Sequence, residues 1–268
     1  MMETPEDTNT NQQQPQEVEP FDARKANRRT FISSLTLLAG GAFAYWGWDK
    51  LYHAPKETAA DATAGARAPL RDVLDFNGNL AERAVSPNHL SKTYPKAMAA
   101  KKPRVNGDVG IKTKAIEDWT LTVYKNTSQS FKVTLDEIKK LPKTEFAFEF
   151  KCVEGWSQIS HWGGVKFSDF VKHYNLTEQA AMAYVGLNTP DKKYYVGIDM
   201  PSALHPQTLL CYEVSGQPLP PEHGAPLRLI IPTKYGIKNL KRIGNIFFTN
   251  ERPPDYWAEL GYDYFSGL

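Results

Sequence analysis

Residues 145–157 read Glu-Phe-Ala-Phe-Glu-Phe-Lys-Cys-Val-Glu-Gly-Trp-Ser. Phe146, Phe148 and Phe150 recur at every second position. A period of two sends alternate side chains to opposite faces of an extended chain, so this stretch predicts a strand with one buried aromatic face. The alternation stops at Lys151, which leaves Cys152 at the strand end, where a Gly/Trp/Ser loop begins. A thiol in that position can ligate or react, and its thiolate is a soft donor for a metal. Residue type alone leaves a second possibility open, a buried core thiol. No His or Cys stands around it at zinc-ligand spacing.

On both sides the chain continues in short periodic segments. Trp119–Tyr124, Tyr184–Leu187, Lys193–Ile198, Leu209–Val214, Leu227–Ile231 and Asn245–Thr249 predict strands. Val133–Leu141 predicts a short helix, with Thr134 and Glu137 forming a capping box and Pro142 blocking continuation. Phe167–Tyr174 predicts another, with Ser168 as N-cap. Pro- and Gly-rich turns separate them, and regular crossover helices are missing. That argues for an α+β or mostly-β class and against a doubly wound parallel sheet.

A second chemical stretch runs from Gly224 to Arg242, where a strand leads into a turn holding Lys234, Lys238, Lys241 and Arg242, with Gly236 among them. Cations and free amides on a Gly-containing turn suit a phosphate group, and a solvated basic loop is the alternative.

Composition removes several classes. Lys plus Arg is 32 and Asp plus Glu is 30, a formal net charge of +2, which gives no basic footprint for nucleic acid. With 2 cysteines in 268 residues, a disulfide framework, a four-cysteine zinc site and a self-contained iron–sulfur cluster are excluded. No C-x-x-C-H haem motif occurs.

The N-terminal region divides into a disordered acidic tail (1–27), a twin-arginine-like signal or membrane anchor (28–48) and a linker (49–69), ahead of the domain at 70–268. Arg28 and Arg29 precede Thr30–Trp48, a stretch free of charge whose helical length matches a bilayer core. An uncleaved anchor is expected, because no small-x-small site directly follows Trp48.

Four motifs in order now carry a resemblance: Cys-Val-Glu-Gly-Trp-Ser at 152–157, His205-Pro206 with Leu209-Leu210, Gly224-Ala-Pro-Leu-Arg-Leu-Ile-Ile-Pro-x-Lys-Tyr-Gly-x-Lys238, and Arg252-Pro253-Pro254. From about Asn88 to the C-terminus the chain resembles the sulfite oxidase-type molybdopterin oxidoreductases, in particular their bacterial periplasmic methionine-sulfoxide reductase branch. The resemblance implies an α+β fold on a distorted, barrel-like β core with short helices. It implies a Mo-molybdopterin cofactor with Cys152 as the protein ligand of the metal. It further implies cofactor contacts at Asn88, Ser91, Lys92, Thr189, His223, Arg228, Lys238, Asn239, Leu240 and Lys241. His223 stands where that branch tends to have Asn. Folded, cofactor-loaded export to the periplasm or the outer face of the inner membrane follows from the twin-arginine-like segment.

The expected activity is oxygen-atom transfer, reduction of a sulfoxide or other S- or N-oxide, small or protein-bound. Glu154, two residues from the expected ligand, would repel sulfite and could supply a proton as an oxo group becomes water. A loop-fixing carboxylate is its structural alternative. Trp156, Trp162, Tyr235 and Tyr256 are candidates for a substrate funnel, and His161, His173 and His205 read as surface or loop-fixing residues. Cys211 lies inside an apolar strand and reads as core. Electrons require a separate partner, a membrane haem protein or a periplasmic cytochrome, and no nucleic acid is involved. Sulfite dehydrogenation on the same fold, or a tethered metal-free scaffold, are the alternatives.

Overall fold

The computed structural model describes residues 23–56, 67–84, 86, 88–105, 107–111 and 118–268. The chain divides between His53 and Ala54 into two units. The first contains helix α1 (Ala23–His53), which begins inside the expected tail and runs through the start of the expected linker. The rest of that tail, and residues 57–66 of the linker, lie outside the described residues. Among the described residues no helix is long and apolar enough to cross a membrane, so the anchor expected at 28–48 is not found. Length is not what fails, since 31 residues at about 1.5 Å each exceed a bilayer core. Ser33, Ser34, Thr36, Gly40, Gly41 and Gly47 dilute the apolar run.

The second unit contains, in chain order, α2 (Ala68–Ala84), β1 (Thr93–Tyr94), β2 (Leu121–Tyr124), β3 (Ser130–Val133), α3 (Leu135–Lys139), β4 (Lys143–Lys151), β5 (Ser157–Lys166), α4 (Phe167–His173), α5 (Thr177–Ala180), β6 (Tyr184–Asn188), β7 (Tyr195–Asp199), α6 (Met200–Ala203), β8 (Leu209–Val214), β9 (Gln217–Pro218), β10 (Arg228–Ile230) and β11 (Asn245–Thr249). One sheet runs β1-β4-β5-β8-β10 with β9 beside β8, all antiparallel. The other runs β3-β2-β11-β6-β7 and is mixed, because β11 lies parallel to β2. The class is therefore α+β, built on two open sheets with no closed barrel among the described residues.

The main core collects side chains of both sheets, such as Val165, Leu210 and Leu229 with Val123, Leu187 and Ile246, plus Ile138 of α3 and Phe170 of α4. A smaller core collects Phe148, Phe150, Trp162, Leu209 and Ile230 of the first sheet. The phenylalanine alternation of β4 feeds this second core, as its period requires. The capping box of α3 is present, with Glu137 N–H donating to Thr134 Oγ1 and Thr134 N–H donating to Glu137.

Strand β5 replaces most of the loop expected after Cys152. Its glycines hide it from propensity, yet Gly164 is required there, since a Cβ would fall 2.2 Å from the Leu210 carbonyl oxygen where the β5–β8 register shifts. Helix α4 starts at Phe167 after Lys166 and has no side-chain cap, so Ser168 lies inside the helix and does not cap it.

Candidate active site

Strands β4 and β5 form a hairpin whose turn carries Cys152. Cys152 N–H donates to the Trp156 carbonyl at 3.0 Å, and Gly155 N–H donates to the Cys152 carbonyl at 3.1 Å. Gly155 sits at φ 84°, a left-handed conformation that an L side chain resists. The turn leaves Cys152 only 5% exposed, lining a cavity of about 130 Å³. Burial raises the thiol pKa, backbone hydrogen bonds around Glu154 and Val153 oppose that, and the Glu154 charge adds to it.

Glu154, Asn239 and Lys241 line the same cavity, with Val109, Val153, Tyr194, Ile237, Trp257 and Tyr262 as its less polar walls. Glu154 Oε2 accepts the indole N–H of Trp156 at 2.8 Å, so this carboxylate does fix its loop while also facing the cavity. The Arg104 guanidinium lies 4.7 Å over the Trp156 ring. No arginine stands in the Val-Glu-Gly-Trp-Ser stretch directly after Cys152, yet one arrives from upstream.

Behind the cavity stands a network of buried polar groups. Arg228 donates through its terminal nitrogens to the carbonyls of His223 (3.1 Å) and Asn239 (3.2 Å), while its Nε is buried with no partner. It lies 4.7 Å over the Trp162 ring, and burial lowers its pKa to about 10. Asn239 Oδ1 accepts the Ile231 N–H at 2.6 Å, which fixes the side chain at the cavity wall. Lys241 Nζ is held by the carbonyls of Gly107 (2.9 Å) and Glu222 (2.8 Å). Burial, then the Arg228 charge, lower its pKa to about 7. His223 packs edge-on against Trp162, and burial together with Arg228 and Lys241 lowers its pKa to about 4, so the imidazole is neutral at pH 7.

The basic turn is neither a solvated loop nor an open phosphate cradle. Lys234 is buried against Asp199 at 2.8 Å, and Lys238 is buried against Asp255. Lys238 is thus neutralised within the protein rather than presented to a ligand. Leu240 is fully buried, and its carbonyl accepts the Leu229 N–H at 2.8 Å, a main-chain role. Thr189 is also fully buried, bonded to Asp191 at 2.6 Å and packed where a Cβ on Gly110 would collide with it.

Asn88, Ser91 and Lys92 are not among the residues that line the Cys152 cavity. Their segment is tied elsewhere. Ser91 exchanges hydrogen bonds with Gln207 at 2.8 and 2.9 Å, and His205 Nε2 lies 3.1 Å from the His89 carbonyl. His205 therefore fixes a loop as expected, but from a buried position, and His161 is buried too. Cys211 is fully buried, donates to the Glu213 carbonyl and has its pKa pushed up to about 12 by burial, as a core thiol does. Both cysteines are free thiols.

Of the expected funnel aromatics, Trp156, Trp162, Tyr235 and Tyr256 do not line the cavity, whereas Tyr194, Trp257 and Tyr262 do. Sequence reasoning missed these three, and also Arg104 and Asp255. The usable signal was the Arg252-Pro253-Pro254 motif, whose end delivers Asp255 and Trp257.

A family model described as the oxidoreductase molybdopterin binding domain matches residues 107–257. A protein of Azospira oryzae, provisionally named protein-methionine-sulfoxide reductase subunit YedZ1, is 38% identical over 195 residues, covering 72% of this chain and 73% of its own. The protein-methionine-sulfoxide reductase catalytic subunit MsrP of Xanthomonas axonopodis pv. citri is 34% identical over 173 residues, covering 59% of this chain. That match spans 54% of the Xanthomonas protein, about half its length. Among solved structures, the sulfane dehydrogenase SoxCD from Paracoccus pantotrophus is similar with a TM-score of 0.48 at 16% identity, over 62% of this chain and 46% of that one.

Proposed function

This chain belongs to the oxidoreductase molybdopterin-binding domain family, and from that premise we propose that it reduces methionine sulfoxide, in proteins or free, with Cys152 as the ligand of the molybdenum. The observation that carries the proposal is the Cys152 thiol facing a small, mostly apolar cavity together with Glu154, Asn239 and Lys241. Two of the relatives carry the name protein-methionine-sulfoxide reductase, one of them provisionally.

The residues present fit the Mo-molybdopterin cofactor of the family. Cys152 supplies one soft thiolate of the kind that complements a dithiolene donor set. Arg228 and Lys241 are two buried cations whose pKa values burial lowers, and the Arg228 charge lowers that of Lys241 further, a repulsion that a nearby anionic group would relieve. The unpartnered Nε of Arg228 is a buried donor in want of an acceptor. Arg228, Asn239 and Lys241 would hold the cofactor's polar edge and phosphate, with His223 as a neutral hydrogen-bonding neighbour. Lys238, Leu240 and Thr189 would act one layer further out, by shaping that wall.

When bound, the cofactor supplies the oxygen-atom and electron chemistry. Reduction of a sulfoxide to a thioether consumes two electrons and two protons and releases water. Electrons come from a separate donor, a haem protein of the envelope. Glu154 is solvent-exposed at the cavity rim and brings the protons in. Its Oε2 is held by Trp156, so Oε1 is the atom that carries them. Asn239 and Lys241 orient the polar end of the site, and the apolar walls exclude water from it. The reaction takes place in the periplasm, with Arg28 and Arg29, inside helix α1 and just before its moderately apolar stretch, acting as the export element. Changing both to Lys should leave the protein inside the cell on fractionation.

Sulfite dehydrogenation is the second reading, favoured by Arg104, a cation stacked beside the cavity rim. Purification from a molybdopterin-competent host, followed by metal analysis and dye-linked assays, tests both. About one molybdenum per chain with sulfoxide reduction supports the proposal. Efficient sulfite oxidation without sulfoxide reduction supports the second reading, and a metal-free protein a scaffold.

A further inference from the structure

The loop after Arg252-Pro253-Pro254 is built as a small rigid platform. Asp255 Oδ1 accepts the Ala258 N–H at 3.1 Å, and its Oδ2 accepts the Gly197 N–H at 3.2 Å and pairs with Lys238. Glu259 N–H returns to the Asp255 carbonyl at 3.0 Å, and Tyr262 N–H closes on the Trp257 carbonyl at 3.0 Å. Gly261 at φ 99° makes the reversal between them possible. The platform presents Trp257 and Tyr262 as an edge-to-face pair, with centroids 5.1 Å apart and planes at 75°. Tyr256 packs on Trp257 at 5.3 Å, and Tyr194 packs on Tyr256 at 5.3 Å, so the wall is backed by further rings. Both Trp257 and Tyr262 line the cavity that Cys152 faces.

We propose that Trp257 and Tyr262 are the specificity residues of this site, an aromatic wall that grips the S-alkyl group of a sulfoxide carried on a flexible side chain. The inference rests on the sulfoxide reading above and adds what selects the substrate. The methyl group and stem of the sulfoxide are apolar and pack on aromatic faces and edges, and the polarisable thioether sulfur formed on reduction packs there too. The other cavity walls, Val109, Val153 and Ile237, are apolar and suit the same methyl group. Sulfite has no alkyl group and gains nothing from this wall, whatever the charge on Glu154. Tyr262 is 40% exposed, which places it at the mouth, where the chain leading to the sulfur must pass. A methionine sulfoxide in an exposed protein segment has the required shape: a small S-methyl end on an unbranched stem.

The test uses the full molybdenum-loaded chain and a short peptide containing one methionine sulfoxide. Dye-linked kinetics and titration calorimetry are run on the wild type, Trp257→Ala, Trp257→Phe and Tyr262→Ala. Removing an apolar contact from a substrate pocket costs about tenfold to a hundredfold in discrimination. Trp257→Ala should raise KM and Kd for the peptide by that order, with a smaller change in kcat and unchanged molybdenum content. Trp257→Phe should recover most of the loss, which a merely structural role for the indole would not predict. Tyr262→Ala should weaken the peptide more than dimethyl sulfoxide, which has no stem to pass the mouth, and it serves as the readout if Trp257→Ala does not fold. Unchanged KM and Kd in both alanine variants, with sulfoxide turnover intact, overturn the wall and leave the proposed function standing. If the loaded wild type reduces no sulfoxide, that function fails, and calorimetry alone decides the wall. Peptide binding weakened by Trp257→Ala upholds it, and absence of binding overturns it.

Discussion

Lys238 and Asp255 form a buried ion pair, with side chains 1% and 2% exposed, that joins the basic turn to the loop carrying Trp257 and Tyr262. Lys238 also donates to the Gly197 carbonyl at 3.1 Å and lies 4.2 Å over the Tyr264 ring. Burial lowers its pKa and the Asp255 charge opposes that. A residue that the resemblance marks as a cofactor contact is therefore also a strut of the loop that carries Trp257 and Tyr262. Removing one partner strands a buried charge, at a cost of about 3–5 kcal/mol. Lys238→Met should lower stability by that order in urea unfolding, and adding Asp255→Leu should recover part of it. A Lys238→Met protein of wild-type stability that loses molybdenum would return Lys238 to the cofactor.

Asp199 and Lys234 make the second buried pair, and it predicts acid sensitivity. Burial works to raise the Asp199 pKa, but the Lys234 charge and hydrogen bonds from Lys234 and Ser202 prevail and hold it below 3.8. A carboxylate with a depressed folded pKa contributes stability that is fully present above its unfolded value. That contribution is lost as pH falls through the folded value. The urea midpoint should therefore fall steeply below about pH 4. Asp199→Asn should be less stable at neutral pH and show a shallower acid decline. Parallel curves for the two proteins would remove Asp199 from the acid transition.

Why these pairs escaped the sequence follows from how they form. The alternation of Phe146, Phe148 and Phe150 and the Thr134–Glu137 box are local patterns, and both are present as the spacing demands. Cys152 at a strand end and Cys211 in the core were legible for the same reason. Lys238 and Asp255 meet only because the chain folds β11 between them, and no spacing rule encodes that. Read linearly, Lys234, Lys238, Lys241 and Arg242 are a charge run, yet the fold buries all four. Strand β5 was hidden because Gly163 and Gly164 lower its propensity while serving its close approach to β8. Arg104 was missed because only residues following Cys152 were weighed for charge.

Replacing the Cys152 sulfur separates metal ligation from packing. Cys152→Ser changes one atom in a side chain that is nearly buried, so the fold should persist with a similar melting temperature. A serine oxygen is a harder donor than a thiolate, so turnover should be abolished and the molybdenum spectrum altered. Retention of most activity with molybdenum bound would remove Cys152 from the metal.

Glu154 faces the cavity and also accepts the Trp156 N–H, and Glu154→Gln tests the two roles apart. The amide oxygen of Gln can still accept that indole N–H, so the turn and its Arg104–Trp156 stack should stay in place. What disappears is the charge and the exchangeable acid. Loss of a general acid costs about a hundredfold or more in rate, so kcat for sulfoxide reduction should drop by that order while KM changes less. Repulsion of anions disappears in the same variant, and Arg104 is then unopposed, so any residual sulfite oxidation should gain a lower KM. Arg104→Ala should move sulfite KM the other way and leave a neutral sulfoxide nearly unaffected. The opposed signs matter, because general loosening of the loop would weaken both substrates together. Steady-state kinetics with both substrates on the two variants checks this. A Glu154→Gln enzyme with unchanged sulfoxide kcat would confine Glu154 to fixing the loop.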